Sequence, residues 1–237
     1  MHTQKSYDII FAGNYTKDKI ITPDGVSYVD GGGMNYAAHA AKMLGKTPAV
    51  VTRLSEEDNH VVKNFESDGI DCYPVYSEHS TLMVLEYPTH DVDKRNLYVT
   101  QTAGTITHDH LHGLHAKAVA VSPSLRGEVE SAFFKELRKQ KELIIAADVQ
   151  GFVRVLRDNT LQYETWDEME EVLRCLDILK SDAVEAKYLT GETDIEKAAS
   201  FYASKGVKEI VLTHSNGVLI HADGENFHYD FHSKSMA

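Results

Sequence analysis

Tyr28-Val-Asp-Gly-Gly-Gly-Met-Asn-Tyr-Ala-Ala-His-Ala-Ala-Lys-Met-Leu-Gly45 is the stretch whose reading decides the fold. Three consecutive glycines let backbone approach a ligand closely, and the alanine-rich run behind them has the propensity and the small side chains of a helix packed tightly on a sheet. Gly45 is a natural helix stop. The segment therefore reads as strand, glycine turn, helix and exit, with a ligand expected at the helix start.

Upstream, Tyr7-Asp-Ile-Ile-Phe-Ala-Gly13 is a short apolar run closed by glycine, the pattern of a buried strand in a parallel sheet. Asn14 and Asp18 follow it, just past the carboxyl end of the strand, where open α/β sheets bind ligands. A turn cap is the equal alternative for Asp18. Lys19-Ile-Ile-Thr22 and Val26-Ser-Tyr-Val29 flank Pro23-Asp-Gly25 and predict a hairpin projecting over the mouth that holds Asp18 and the glycines.

Downstream, residues 48–54 predict a second core strand, and Ser55-Glu-Glu-Asp58 opens a helix expected to run through Phe65, with serine and acids suited to its first turn. Residues 80–87 and 95–100 are β-rich and are expected to join the hairpin as a small lid sheet, drawn from about residues 19–30 and 80–101. From Lys117 onward strand and helix alternate: strand 118–123, helix 128–140, strand 142–148, helix 168–175, strand 177–180, helix 183–189 stopped at Gly191, helix 195–204, strand 209–213. Two antiparallel strands, 217–221 and 226–232, follow around Asp223-Gly224. The expectation is an α/β fold with a mostly parallel sheet, helices on both faces in a Rossmann-type three-layer arrangement, and a small β-strand lid, all within one domain over residues 1–237.

The chain's 24 Lys and Arg against 36 Asp and Glu give a formal net charge of −12, which argues against a surface built to neutralise nucleic-acid phosphates or anionic lipid. A small-molecule partner is expected, with no nucleic acid and no membrane. Cys72 and Cys175 stand far apart without a Cys-x-x-Cys partner, so both read as packing residues. No apolar window approaches a membrane span, and the cytoplasm is the expected compartment.

Asn14, Asp18, Asn35, Asp148, Asp182 and Glu185 are the acidic and amide groups expected at strand ends. Such groups suit a polyhydroxyl compound, because a carboxylate accepts hydroxyl protons while an asparagine both donates and accepts. Carboxylates at a later strand end also suit a hard cation such as Mg²⁺, held largely through water. Taken singly, each reads equally well as a helix cap or turn residue. The glycines do not make a dinucleotide fingerprint, because Tyr36 stands where the third glycine belongs, and the sequence has no G-x-x-x-x-G-K-[ST] loop. His108, His110, His112 and His115 alternate, but Gly113 and the apolar run after it predict a surface loop or short helix, on which these side chains would not converge on a metal.

Taken together, Gly13-Asn14 with Asp18, Gly32-Gly33-x-Asn35 before an alanine-rich helix, Asp148-Val-Gln-Gly-Phe-Val-Arg154, Leu179-Lys-Ser-Asp-Ala-Val-Glu-Ala-Lys-Tyr-Leu-Thr-Gly191 and Thr213-His-Ser-Asn-Gly217 resemble, in order and spacing, the PfkB or ribokinase-like carbohydrate kinases. The resemblance implies transfer of the ATP γ-phosphoryl group to a hydroxyl of a sugar, polyol or nucleoside under a strand-built lid. It implies an acceptor site of Asn14, Asp18, Gly32, Gly33, Asn35, Asp148 and Arg154, Mg²⁺ organised by Glu185 with Asp182, and nucleotide contacts at Thr213, Ser215 and Gly217. Asp182 stands where the family usually has asparagine, and Ser215 replaces the first glycine of the nucleotide turn. Gly13-Asn-Tyr and Asp148-Val-Gln look most like the myo-inositol kinase branch. The family's lid often serves as a homodimer surface.

The largest departure is that the family's D-T-x-G-A-G-D segment, which supplies the phosphate-receiving amides and the base, does not occur before Ala237. The polypeptide is therefore expected to be incomplete at its C-terminus and a poor catalyst as written. The alternative expectation is a non-catalytic sugar- or polyol-binding protein.

Overall fold

The computed structural model describes residues 5–91 and 94–231. The chain runs β1 (Ser6–Ala12), the hairpin β2 (Thr16–Thr22) and β3 (Gly25–Gly31), α1 (Gly33–Met43), β4 (Pro48–Leu54), α2 (His60–Ser67), β5 (Asp71–Tyr76), β6 (Thr81–Glu86) and β7 (Asn96–Gln101). There follow β8 (His115–Val121), α3 (Ser131–Arg138), β9 (Ile144–Asp148), α4 (Gln150–Val153), β10 (Arg154–Arg157), β11 (Thr160–Tyr163), α5 (Met169–Leu173), β12 (Ile178–Asp182), α6 (Ala183–Thr190) and α7 (Ile195–Ser204). The last three strands are β13 (Glu209–His214), β14 (Gly217–Ala222) and β15 (Glu225–Asp230). The expectation that the last strand reaches His232 concerns a residue outside the described ones.

Two sheets result. The larger has the order β15-β14-β13-β12-β9-β8-β1-β4-β5, and the lid has the order β10-β11-β7-β6-β2-β3. Every pairing from β5 to β13 in the larger sheet is parallel, and β14 and β15 add an antiparallel edge. Apolar side chains from this sheet, among them Val119, Ile145, Leu179 and Leu212, pack with Phe134, Leu173, Leu189 and Tyr202 of α3, α5, α6 and α7. On the other face Met34 and Ala38 of α1 and Phe65 of α2 cover Phe11 and Val50.

That second face is clad only in part. Phe11, Ala120, Ala146 and Ile178 are register neighbours in one row, and Lys180, Val211, Ile220 and Phe227 form the next. Among the described residues no helix packs on these rows beyond β1, and Ile144 of the same face is 45% exposed.

Three local expectations need correction, and β5 is a strand that the sequence did not suggest. The helix from Ser55 to Phe65 is broken: the Ser55 hydroxyl caps a 3₁₀ turn at Glu56–Asp58, and α2 starts at His60. The helix placed at residues 128–140 starts only at Ser131, because Glu128 is buried in the preceding loop with its carboxylate on the Ser124 N–H. Strand β5 carries Pro74, which a sheet edge tolerates. The lid has six strands instead of four, since β10 and β11 form a hairpin around Asp158 and Asn159, both at positive φ, and β11 pairs with β7.

Candidate active site

The glycine turn earns its composition from crowding. Gly32 caps α1 at φ 98, a left-handed conformation, and a Cβ there would stand 2.8 Å from the Asn14 carbonyl oxygen. A Cβ on Gly31 would collide with the Asp18 carboxylate. The missing side chain at Gly31 is thus what lets Asp18, on β2, lie against the turn.

Asp18 is the acceptor-side group with unused capacity. Its Oδ1 is buried without a partner. Burial raises its pKa, opposed by a hydrogen bond from Thr16 and the positive charge of Arg95. A buried carboxylate oxygen lacking a donor invites a hydroxyl. Asn35 sits in the first turn of α1, where its Nδ2 donates to the Asp30 carbonyl at 3.1 Å. The Asp30 carboxylate is already engaged, accepting from the Tyr15 hydroxyl at 2.7 Å with His60 Nε2 3.1 Å away. Asn14 is closed off from solvent, its Nδ2 donating to the Gly104 carbonyl at 2.7 Å, so it stands behind the turn.

The second group of residues collects at the carboxyl ends of β9 and β12. Asp182 is the N-cap of α6: its Oδ1 accepts from the Val184 and Glu185 N–H groups, both at 2.8 Å, while Glu185 Oε2 accepts from the Asp182 N–H at 2.8 Å. The cap reading of this pair is therefore realised. Capping leaves Glu185 Oε1 buried without a partner. Burial pushes the Glu185 carboxyl up to about 7; the Asp182 N–H and Lys180 oppose this, and the negative charges of Asp182 and Asp148 add to it. Lys180 Nζ lies 3.1 Å from Asp148 Oδ2. Burial alone would lower the Lys180 pKa, but Asp148, Glu185 and Asp182 hold it raised.

A groove of about 300 Å³ runs over the apolar Phe11, Ala120, Ala146 and Ile178 and is also lined by Gly33, Ser122, Asp148 and Lys180. Among the described residues no three or more His, Cys, Asp or Glu side chains could hold a metal as a cage. The orphan oxygen of Glu185, beside two further carboxylates and one ammonium, fits a hard cation that keeps most of its own water.

Other expected positions lie elsewhere. Thr213 is the register partner of Asp182, next to the cation side. Ser215 is exposed in the β13–β14 turn, and Gly217 is explained by sheet packing, since a Cβ there would collide with the Tyr229 carbonyl. Arg154 lines a different hollow, of about 520 Å³, with Arg95, Tyr98 and Tyr163. His108–Leu111 is a 3₁₀ turn in which the His110 ring accepts the Thr107 N–H at 3.0 Å. Sequence reasoning missed Lys180, whose pairing with Asp148 depends on β12 lying beside β9, and Glu128, which it placed in a helix. Its strand position between the apolar Leu179 and Ser181 was the available signal for Lys180.

A parallel-centred sheet with a strand lid over the glycine turn is the architecture of the ribokinase-like carbohydrate kinases. The chain belongs to the pfkB family of carbohydrate kinases, whose pattern matches residues 5–234. A pyrophosphate-dependent kinase of the ribokinase family, solved as a sulfate complex, is 30% identical over 96% of this chain and 80% of its own, with a TM-score of 0.88. A pyrophosphate-dependent kinase of that family, complexed with a pyrophosphate analogue and myo-inositol, is 29% identical over the same shares, with a TM-score of 0.87. Arabidopsis thaliana ribokinase complexed with ribose and ATP shares the fold at 17% identity, covering 95% of this chain and 78% of its own, with a TM-score of 0.71. Comparison with curated protein sequences returns no match.

Proposed function

We propose that the protein binds a cyclic polyol of the myo-inositol type and supports phosphoryl transfer to one of its hydroxyls. The observation that carries this reading is the buried, unpartnered Asp18 Oδ1 lying against the glycine turn. Asp18 accepts acceptor hydroxyls, Asn35 adds an amide, and the Gly31–Gly33 backbone lets the ring approach closely. Asp148 orients Lys180, which lines the groove and meets the negative charge of the donor. Glu185 and Asp182 would hold Mg²⁺, which would supply neutralisation of the charge on the transferring group. Thr213 and the exposed Ser215 flank the donor.

ATP is the expected donor. Pyrophosphate is the second reading, supported by the 29–30% identity with pyrophosphate-dependent kinases. Residues 1–237 contain no G-A-G-D segment to supply a base. The competing reading is a polyol-binding protein without turnover. The lid's outer surface, where Val26 and Tyr28 stand exposed, would seat a second copy.

Calorimetry with myo-inositol, other polyols, ribose and nucleosides tests the acceptor side, and phosphorylated product formed with ATP or pyrophosphate tests the rest. Asp18→Ala is expected to abolish polyol binding; unchanged binding would sink the assignment. Binding without product from either donor would favour the non-catalytic reading.

A further inference from the structure

The chain passes between sheet and lid six times, and the segment 122–128, in the loop between β8 and α3, touches every passage. Ser122 meets the second passage at Gly33, where a Cβ would stand 2.9 Å from its own Cβ. The Glu128 carboxyl faces the side chains of Asn14, on the first passage, and Thr81, on the third. Its carbonyl accepts from the Ile106 N–H of the fourth at 2.7 Å. Arg126 closes the set, its guanidinium donating to the carbonyls of Phe152 at 2.8 Å and Thr165 at 2.7 Å, on the fifth and sixth.

At the centre of this hub two oxygens lack donors. Glu128 Oε2 accepts from the Ser124 N–H at 2.6 Å, but Oε1 is unpartnered, and so is Asn14 Oδ1. Both residues are buried, where an oxygen left without a donor is destabilising. One proton between them removes both vacancies. We propose that Glu128 is a positioning residue that carries this proton, donates it to Asn14, and thereby sets the lid and the glycine turn over the acceptor groove.

The groups facing Glu128 are neutral: the Ser124 and Leu125 amides of its own loop, Asn14 and Thr81. The cations on the packed elements are engaged elsewhere, Arg53 on the Ala103 carbonyl at 2.6 Å and Arg126 on its carbonyl set. Burial pushes the Glu128 carboxyl up to about 7, opposed first by the Ser124 N–H and then by the nearby polar groups of Asn14, Leu125 and Thr81. The link to Asp18 is short, because the Asn14 backbone supports Gly32 on one side and leads into β2 on the other.

Amide hydrogen exchange on the unliganded protein tests this, comparing wild type, Glu128→Gln and Glu128→Leu from about pH 5 to about pH 8, corrected for the intrinsic rate. In wild type, protection of β6, β7 and residues 31–34 is expected to fall by up to about tenfold per pH unit from about pH 5 to about pH 7, as the open form loses the proton that the closed form keeps, and to level off above neutrality. Glu128→Gln places an N–H where the proton was and is expected to stay protected throughout. Glu128→Leu is expected to lose protection at every pH. A pH-independent wild type, or a Glu128→Gln protein as loose as Glu128→Leu, overturns the proposal. The wild-type series decides even if the leucine variant does not fold. On the phosphotransfer reading, KM for the acceptor rises over the same pH range while kcat holds, and Glu128→Gln is flat. Exchange is read without substrate, so failure of that reading leaves this test standing.

Discussion

Position 31 shows how a residue with no side chain places one that matters. Gly31→Ala forces the Asp18 carboxylate away from the turn. Crowding of this kind costs about 1–3 kcal/mol, so calorimetry is expected to show weakened polyol binding in a protein that still unfolds cooperatively. Two buried acids set opposite limits on pH. Burial works against the charge on Asp58, but Lys17 at 2.8 Å and the Ser80 hydroxyl at 2.6 Å outweigh it and hold its carboxyl below the usual range. Its contribution is present above the ordinary carboxylate range and lost as pH falls through its lowered pKa. Glu128 is raised, so its contribution is full below about pH 4.5 and lost as pH rises to about 7. Urea unfolding across pH is expected to lose the decline between about pH 4.5 and about pH 7 in Glu128→Gln and the decline at lower pH in Asp58→Asn.

At the scale of elements, legibility followed local chemistry. The Asp223-Gly224 turn, with φ 52 and 80, and the Gly191 stop of α6, with φ 77, are written in two or three residues. The β10–β11 hairpin escaped because Asp158-Asn159 is a weaker form of the same signal, with φ 47 and 64 and no glycine. Asn159→Gly should therefore raise stability by up to about 1 kcal/mol in urea titration, since glycine adopts that conformation without strain. The α6 cap makes a second test. Asp182→Asn keeps an N-cap acceptor and should hold Tm, whereas Asp182→Ala should cost about 1 kcal/mol before any cation is added. A metal titration on the two variants then separates capping from cation binding.

For the whole molecule, the consequential feature is the half-clad sheet. Parallel sheets ordinarily carry helices on both faces, yet from β8 to β15 one face presents Ala118, Ile144, Ala146, Ile178, Val211 and Ile220 without a covering helix among the described residues. Ile144→Lys is expected to change stability by no more than about 0.5 kcal/mol while reducing binding of an apolar dye; a larger loss in urea titration would mean the face is covered in solution.

The sequence by itself determined the strand and helix alternation, the lid hairpin, the glycine turn and the acids at strand ends, because hydrophobic period, caps and turn residues act over a few positions. Only the tertiary structure decided that Asp30 is spent on Tyr15 and His60, that Asn14 lies behind the turn, that Arg154 belongs to another hollow, and that Lys180 meets Asp148. Each depends on which strands become neighbours and which side chains are closed off from water. Those are non-local facts, and the same residue types satisfy them or leave them open according to what packs alongside. Glu128 is the clearest case: a plausible helix residue in the sequence, it became a fully buried acid touching the passages between sheet and lid once the loop folded inward.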